Sequence, residues 1–513
     1  MLRFHRLAPH KNNLIIDDFI EIGIEKQRTK NNMKRQTKLI IGLALSIISL
    51  CFSILLITDA IPASPKKPKY VFYFIGDGMS FNHLLGTELY NTEMAGASET
   101  LRLNFTQFDT RNFVTNYSTS NLVTDSAAAG TALASGVKTA NAHIGVDVDG
   151  NELRTIADVA SELGYKVGLV TNVGINHATP SCFYGHTADR FGFPSLVDDY
   201  IASDVAFIAG STIMDMKSGP LDPKYERTTT AQLAERIRNA GIELCLDVEK
   251  AAKISGRRVA LVAHDKENKH VPYVIDRGEN EEHTLVNHAK AAIEYLSHEA
   301  EDGFFLMVEE GKLDYSAHEQ DAVTTFHEVN ELAATVELAL EFAKHHPDET
   351  LIVVTSDHET GGMSLGWDHY EIRMNVLAAQ KTSALQVTKT FQRMRDEGVR
   401  DWNAYKRVLS NNLGLWSVVP VTKEEEKLLL HDFYDIFLKY GPMVDGLYNK
   451  NEFVTYHALR ILNKHASLDW TSLYHTGMYT PLFVKGVGEK AFLECRDQTE
   501  IPKTIASLMG GQL

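Results

Sequence analysis

Six short apolar runs recur along the chain, and each gives way abruptly to polar or glycine-rich sequence. They are KYVFYFIGDG from Lys69, YKVGLVTNVG from Tyr165, DVAFIAGS from Asp204, RVALVAHD from Arg258, GFFLMVEEG from Gly303 and ETLIVVTSDHETGG from Glu349. Each is short for a helix and too continuously apolar for a strand with one wet face, so the runs read as strands covered on both sides. Segments of helical period separate them. Such alternation predicts an α/β fold with a largely parallel central sheet flanked by helices on both faces. Sheets of this kind bind ligands at the carboxyl ends of their strands.

Two regions depart from this rhythm. Between residues 367 and 470, stretches such as VTKTFQRMRDEGVRDWNAYKRVL and TKEEEKLLLHDFYDIFLKYG carry helical periodicity with charged faces, which predicts a mainly helical insertion capping the strand ends. Near the N-terminus, MKRQTK from Met33 precedes an uncharged run from Leu39 to Ile57. A basic flank, an apolar stretch and small residues at Ala60 and Ala63 have the form of a secretory signal peptide, with Thr58-x-Ala60 the better cleavage site. Met33 is then the expected start, residues 1–63 an upstream segment plus signal peptide, and 64–513 the exported body. An uncleaved membrane anchor is the competing reading, since the run is long enough to span a bilayer. Either way the bulk is exported, to a periplasm, the cell surface or the medium. Cys51 is a poor lipid-attachment residue because Leu50 precedes it.

Composition narrows the function. With 513 residues, 44% hydrophobic and 23% charged, the chain is globular and can bury a large core. A formal net charge of −16 argues against nonspecific nucleic-acid binding. An anionic small molecule stays open, provided that metals or arginines reverse the sign locally. Beyond the leader only Cys182, Cys245 and Cys495 remain, too few for a disulfide scaffold.

The strand ends are where positive centres are to be sought. The first run stops at Asp77, the fifth at Glu309 and the sixth at Asp357-His358. After Glu309 comes GKLDYSAHEQDA, in which Asp314 and His318 are four residues apart and share a face if the segment is helical. LYHTGMYTPLFVKG adds His475 before another apolar run. Imidazoles with carboxylates suit Zn²⁺, an all-oxygen remainder suits Mg²⁺, and the set is too rich for one ion. Elsewhere, NLVTDSAAAGTALASG places Ser126 before a run of small helix formers. From this window alone, Ser126 is either an N-cap or a hydroxyl aimed at an anion held by the helix end.

Together the motifs FIGDGMS, VTDSAAAGTALASG, INHATPSCFYGHTADR, VEEGKLDYSAH, TSDHETGG and YHTGMYTPLFV, in this order from about residue 70 onward, resemble the alkaline phosphatase family. The resemblance implies a phosphomonoester hydrolase working through a phosphoserine, with Ser126 as nucleophile and Arg190 as the arginine that grips phosphate. It implies two Zn²⁺ and one Mg²⁺: Asp314, His318 and His475 on one zinc, Asp357, His358 and Asp77 on the second, and Asp77, Thr179 and Glu309 on the third ion with His177 beside it. A histidine there is softer than an aspartate, which leaves Zn²⁺ or Co²⁺ open at the third site. Tyr315 follows Asp314 where some relatives place a positive charge, so weaker phosphate retention is expected. Small phosphomonoesters are the implied substrates and a homodimer the implied assembly. A phosphodiesterase of the same superfamily is the nearest rival, and a non-catalytic exported phosphate- or metal-binding protein the more distant one. A sulfatase is disfavoured because SAAAG lacks the C/S-x-P-x-R context.

Overall fold

The computed structural model describes residues 13–58, 67–215, 228–368, 370–438 and 443–513. Contacts divide the chain into Met1–Pro65 and Lys66–Leu513. In the first unit a single helix, Asn13–Thr58, runs continuously through Met33. The expected cleavage positions Ala60 and Ala63 lie outside the described residues. Among the described residues no helix is long and apolar enough to cross a membrane.

The second unit is built on a nine-stranded sheet: β1 Tyr70–Gly76, β2 Thr110–Val114, β3 Lys166–Thr171, β4 Phe207–Thr212, β5 Glu243–Cys245, β6 Val259–His264, β7 Phe304–Glu310, β8 Thr350–Thr355 and β9 Thr480–Gly486. Their spatial order is β2-β9-β8-β1-β7-β3-β4-β6-β5. All neighbouring pairs are parallel except those made by β9, which runs against both β8 and β2. The six apolar runs supply six of the parallel strands. Alternating residues of β1 serve the two faces, Val71, Tyr73 and Ile75 in one apolar cluster and Phe72 and Phe74 in the other. Each such fully buried side chain contributes roughly 1.5–3 kcal/mol. Helices such as Phe193–Ala202 and Glu500–Met509 cover the first face, and Leu285–Glu299 and Ala322–His345 the second.

Parallel register brings the strand ends level. Ile75 of β1 sits opposite both Glu309 of β7 and Thr355 of β8, and Thr171 of β3 also faces Glu309. Asp77 directly after β1 and Asp357 just after β8 therefore share one edge. Residues 374–465 carry helices Met374–Leu377, Ala384–Asp396, Trp402–Leu413, Lys423–Asp435 and Phe453–His465 around a third cluster that includes Phe391, Tyr405, Leu409, Phe433 and Leu462. A hairpin of Met443–Gly446 with Asn449–Glu452 interrupts the helices, and the strand Leu468–Trp470 pairs back onto Met363–Leu365.

Candidate active site

Ser126 is the first residue of the helix Ser126–Ser135, and the cap is Asp125, whose side chain accepts from Ala128 N at 3.0 Å. An N-cap role for Ser126 itself is thus replaced: a carboxylate holds the helix end, and the serine hydroxyl is free for another partner. That hydroxyl lies 3.1 Å from His358 Nε2, with no solvent exposure. All ten residues of this helix are buried. Their small size serves close packing more than open approach, since a Cβ on Gly130 would come within 2.9 Å of Cys182 Sγ and 3.4 Å of Thr179 Cα. The Ser126 and Thr179 helices can therefore lie side by side.

The loop after Thr179 delivers Arg190, which is almost fully buried. Its Nη1 donates to Asp125 Oδ2 at 3.0 Å and its Nη2 to the Tyr448 hydroxyl at 3.2 Å. Asp125 thereby ties the guanidinium to the residue before Ser126. Neither Asp125 nor Tyr448 was expected from the sequence. An acid directly preceding the serine at a helix start was the available signal for Asp125.

Asp314 and His318 sit on a separate short helix, Lys312–His318, ended at Gln320 in the left-handed region with φ 56° before Ala322–His345 begins. The segment is helical, as a shared face for Asp314 and His318 requires, and residues 319–321 separate it from the longer helix that follows. His318 Nε2 is 3.3 Å and His475 Nε2 3.6 Å from Asp314 Oδ1, and the two imidazole nitrogens are 3.2 Å apart. Their other nitrogens are committed, His318 Nδ1 to Leu473 O at 2.5 Å and His475 Nδ1 to Thr124 O at 2.8 Å. Such outer bonds fix which nitrogen faces inward. His475 begins a two-residue strand paired with Glu359–Thr360, and its ring stacks on that of His358 at 3.6 Å.

His358 Nε2 also lies 3.4 Å from Asp77 Oδ1 and 3.2 Å from Asp357 Oδ2. Adjacent residues on a strand would point to opposite faces, but β8 has ended at Thr355, and Asp357 Oδ1 accepts from the backbone N–H groups of Gly78 and His358. Gly78 is required for this turn: its φ is 76°, and a Cβ there would meet Thr360 Oγ1 at 2.8 Å and Asp314 Oδ1 at 3.0 Å. Thr360 Oγ1 in turn donates to Asp314 Oδ1 at 2.5 Å. On the far side Glu309 Oε2 accepts from Thr171 Oγ1 at 2.5 Å, a supporting bond that no local pattern announced.

Three ligand sets have donor atoms within 4.8 Å of one another: Asp314, His318 and His475; Asp77, Asp314 and His358; and Asp77, His177 and Glu309. His177 is the buried N-cap residue of Ala178–Ser181. Both oxygens of Asp77, Oδ2 of Asp314 and of Asp357, Oε1 of Glu309, Oγ1 of Thr179 and Nδ1 of His177 are buried without a hydrogen-bond partner. Orphaned groups at this density are costly unless something positive fills the space between them.

The electrostatics state the same deficit. Burial, then the carboxylates of Asp357, Asp314 and Glu309, holds Asp77 far above the usual carboxylate range. Burial pushes Glu309 up to about 7 and Asp357 up to about 8. Asp314 is the exception: burial alone would raise it, but His318, His475 and His358 carry it well below the ordinary value. Burial keeps His177 and His358 neutral, as cation ligands must be. The donor chemistry fits imidazole-favouring divalent ions on the His475 side and a harder ion on the Glu309 side.

A family model described as alkaline phosphatase matches residues 68–510. Alkaline phosphatase 3 of Bacillus subtilis (strain 168) is 29% identical over 386 residues, covering 75% of this chain and 76% of the relative. Among solved structures, the cold-active alkaline phosphatase of the psychrophile Shewanella sp. matches with a TM-score of 0.70 at 25% identity, covering 86% of this chain and 99% of the other. A variant of TAB5 alkaline phosphatase, described with Mg bound in its M3 site, has a similar fold, with a TM-score of 0.59, 21% identity, and coverage of 88% and 100%.

Proposed function

We propose that this chain, which belongs to the alkaline phosphatase family and is a metal-dependent phosphomonoester hydrolase, performs its reaction with Ser126 as nucleophile and Arg190 as phosphate clamp. The observation that carries the assignment is the approach of Ser126 Oγ to His358 Nε2 at 3.1 Å, beside the carboxylate that fixes Arg190. Asp314, His318 and His475 would hold one Zn²⁺, and Asp77, Asp357 and His358 a second. Asp77, Thr179 and Glu309, with His177 beside them, would hold Mg²⁺, Zn²⁺ or Co²⁺. When bound, such ions supply positive charge that lowers the pKa of a hydroxyl or water and offsets charge growing on phosphoryl and leaving oxygens.

Ser126 Oγ attacks phosphorus and gives up its proton, the bond from phosphorus to the ester oxygen breaks, and that oxygen takes up one proton and leaves as the free alcohol, so that no net proton is consumed. Water then attacks the phosphoserine, restoring the Ser126 hydroxyl and releasing inorganic phosphate. Arg190 orients the phosphoryl group throughout, because its planar fork matches two oxygens where a lysine would offer a point charge. Asp125 keeps the fork turned toward the serine. The chain's burial of Ser126 limits competing water at that oxygen.

Small phosphomonoesters as substrates, export directed by the leader, with anchoring if it is not cleaved, and a homodimer belong to the same reading. Elemental analysis of the purified protein, with turnover of mono- and diester aryl phosphates before and after chelation, tests it. Monoester turnover should dominate and vanish on chelation; a preference for diesters, or full activity without metal, would overturn it.

A further inference from the structure

The insertion reaches the site through its hairpin. Leu447, at φ 66°, and Tyr448 form the turn between Met443–Gly446 and Asn449–Glu452, and Tyr448 N–H donates to Gly446 O at 2.7 Å. The next residues are anchored: Asn449 Nδ2 donates to Glu319 Oε1 at 2.6 Å and Asn451 Nδ2 to Glu319 Oε2 at 2.9 Å, while the Tyr273 hydroxyl donates to the same carboxylate. Glu319 directly follows the helix that carries Asp314 and His318. The turn is thus fixed to the floor of the site.

From this turn the Tyr448 ring stacks on Tyr315, with centroids 3.9 Å apart and planes 15° from parallel, and meets His177 and His318 edge-on at 5.6 and 5.7 Å. Its hydroxyl accepts the Nη2 bond of Arg190, 3.2 Å away, while Asp125 takes Nη1. A guanidinium tethered at both terminal nitrogens cannot rotate about its bond to the chain, and ordering it in advance lowers the entropic penalty of phosphate binding. A neutral hydroxyl can do this without competing for the positive charge, as a second carboxylate would.

We propose that Tyr448 is a positioning residue for phosphate recognition, through which the insertion holds the Arg190 guanidinium in its binding orientation. The proposal rests on Arg190 being the phosphate clamp. Tyr448 touches the clamp and not the reacting atoms. Its effect should therefore appear in phosphate affinity and KM more than in kcat, and only while Arg190 is present.

The test is a double-mutant cycle on the metal-loaded enzyme with Tyr448→Phe, Arg190→Ala and the double variant, reading the inhibition constant of inorganic phosphate together with KM and kcat. Phenylalanine keeps the stack on Tyr315 and deletes only the hydroxyl, so folding and metal content, checked by melting and elemental analysis, should match wild type. Tyr448→Phe should weaken phosphate inhibition roughly threefold to tenfold, the scale of one ordinary hydrogen bond, because it acts only by holding Arg190, and should have no further effect in the Arg190→Ala background. Equal effects in both backgrounds, or unchanged phosphate inhibition in Tyr448→Phe, would overturn the role of Tyr448 while leaving Arg190 as the clamp. Unchanged inhibition in Arg190→Ala alone would remove the clamp assignment itself, and the inference with it.

Discussion

Ser126 Oγ and His358 Nε2 stand 3.1 Å apart although they are 232 residues apart in sequence. One comes from a helix start and the other from the residue after a strand-end aspartate. The tertiary fold brings them together. Replacing Ser126 by Ala removes the attacking oxygen and leaves His358 and its neighbours in place. Phosphomonoesterase activity should fall by on the order of 10³ or more, with metal content retained. Stoichiometric metal with near-normal turnover would reject Ser126 as nucleophile.

Arg190→Ala should weaken product inhibition by phosphate and lower turnover less than the serine change, because bound cations still offset phosphoryl charge. Steady-state kinetics with added phosphate measures both, and the two should separate.

His318→Ala removes one of three clustered donors. Cation affinity at that set should drop by at least the roughly 10–100-fold that loss of a supporting bond already produces. Elemental analysis after gel filtration should show lowered zinc, and activity should return in part at high added zinc.

His177→Asp places an oxygen donor where Asp77, Thr179 and Glu309 already supply oxygens, so affinity for Mg²⁺ and activation by Mg²⁺ should both rise. Activity is followed against added Mg²⁺ at constant zinc. Superimposable wild-type and variant curves would show that His177 stands outside the site.

Chelated protein should lose thermal stability as the pH rises from 6.5 to 8. Without cations, Glu309 and Asp357 titrate near 7 and 8 in the fold, above their ordinary values of 4.5 and 3.8, so the native state binds more protons than the unfolded state in this window. Stability therefore falls as these acids ionise without a partner. Below about pH 6.5 the neutral buried histidines His177 and His358 act in the opposite sense, which is why the window starts there. Melting temperature against pH should slope downward in chelated protein and flatten once metal is restored.

Strand runs such as Phe304–Glu310 were legible because burial on both faces leaves an unbroken apolar word in the sequence, and the acids that end them stand out against it. β2 and β5 were not: Thr110–Val114 has exposed Arg111, and Glu243–Cys245 is three residues long, so neither makes a run. The contribution of Tyr448 was hidden for a related reason. Asp445-Gly446 is a turn signal, but the strand after it reads NKNE, whose polar side chains serve Glu319 and not an apolar face. Thr171, Thr360 and Asp125 support their partners across long sequence separations, and local pattern carries no record of such pairs.

The order in which the proposed ligands occur along the chain bears on how the protein matures. Asp77, Glu309, Asp314, His318, Asp357 and His358 all precede His475, which is held in place by pairing with Glu359–Thr360 just before β9 enters the sheet between β8 and β2. A nascent chain emerging from its N-terminus onward has its oxygen donors long before the imidazole that closes the Asp314–His318–His475 set. Until that final segment docks, the set lacks one of the three donors proposed to hold a cation, and a site short of a ligand would bind its ion weakly. Under the export proposed above, the cation would then be drawn from the compartment where the finished chain folds, not from the one where it is synthesised.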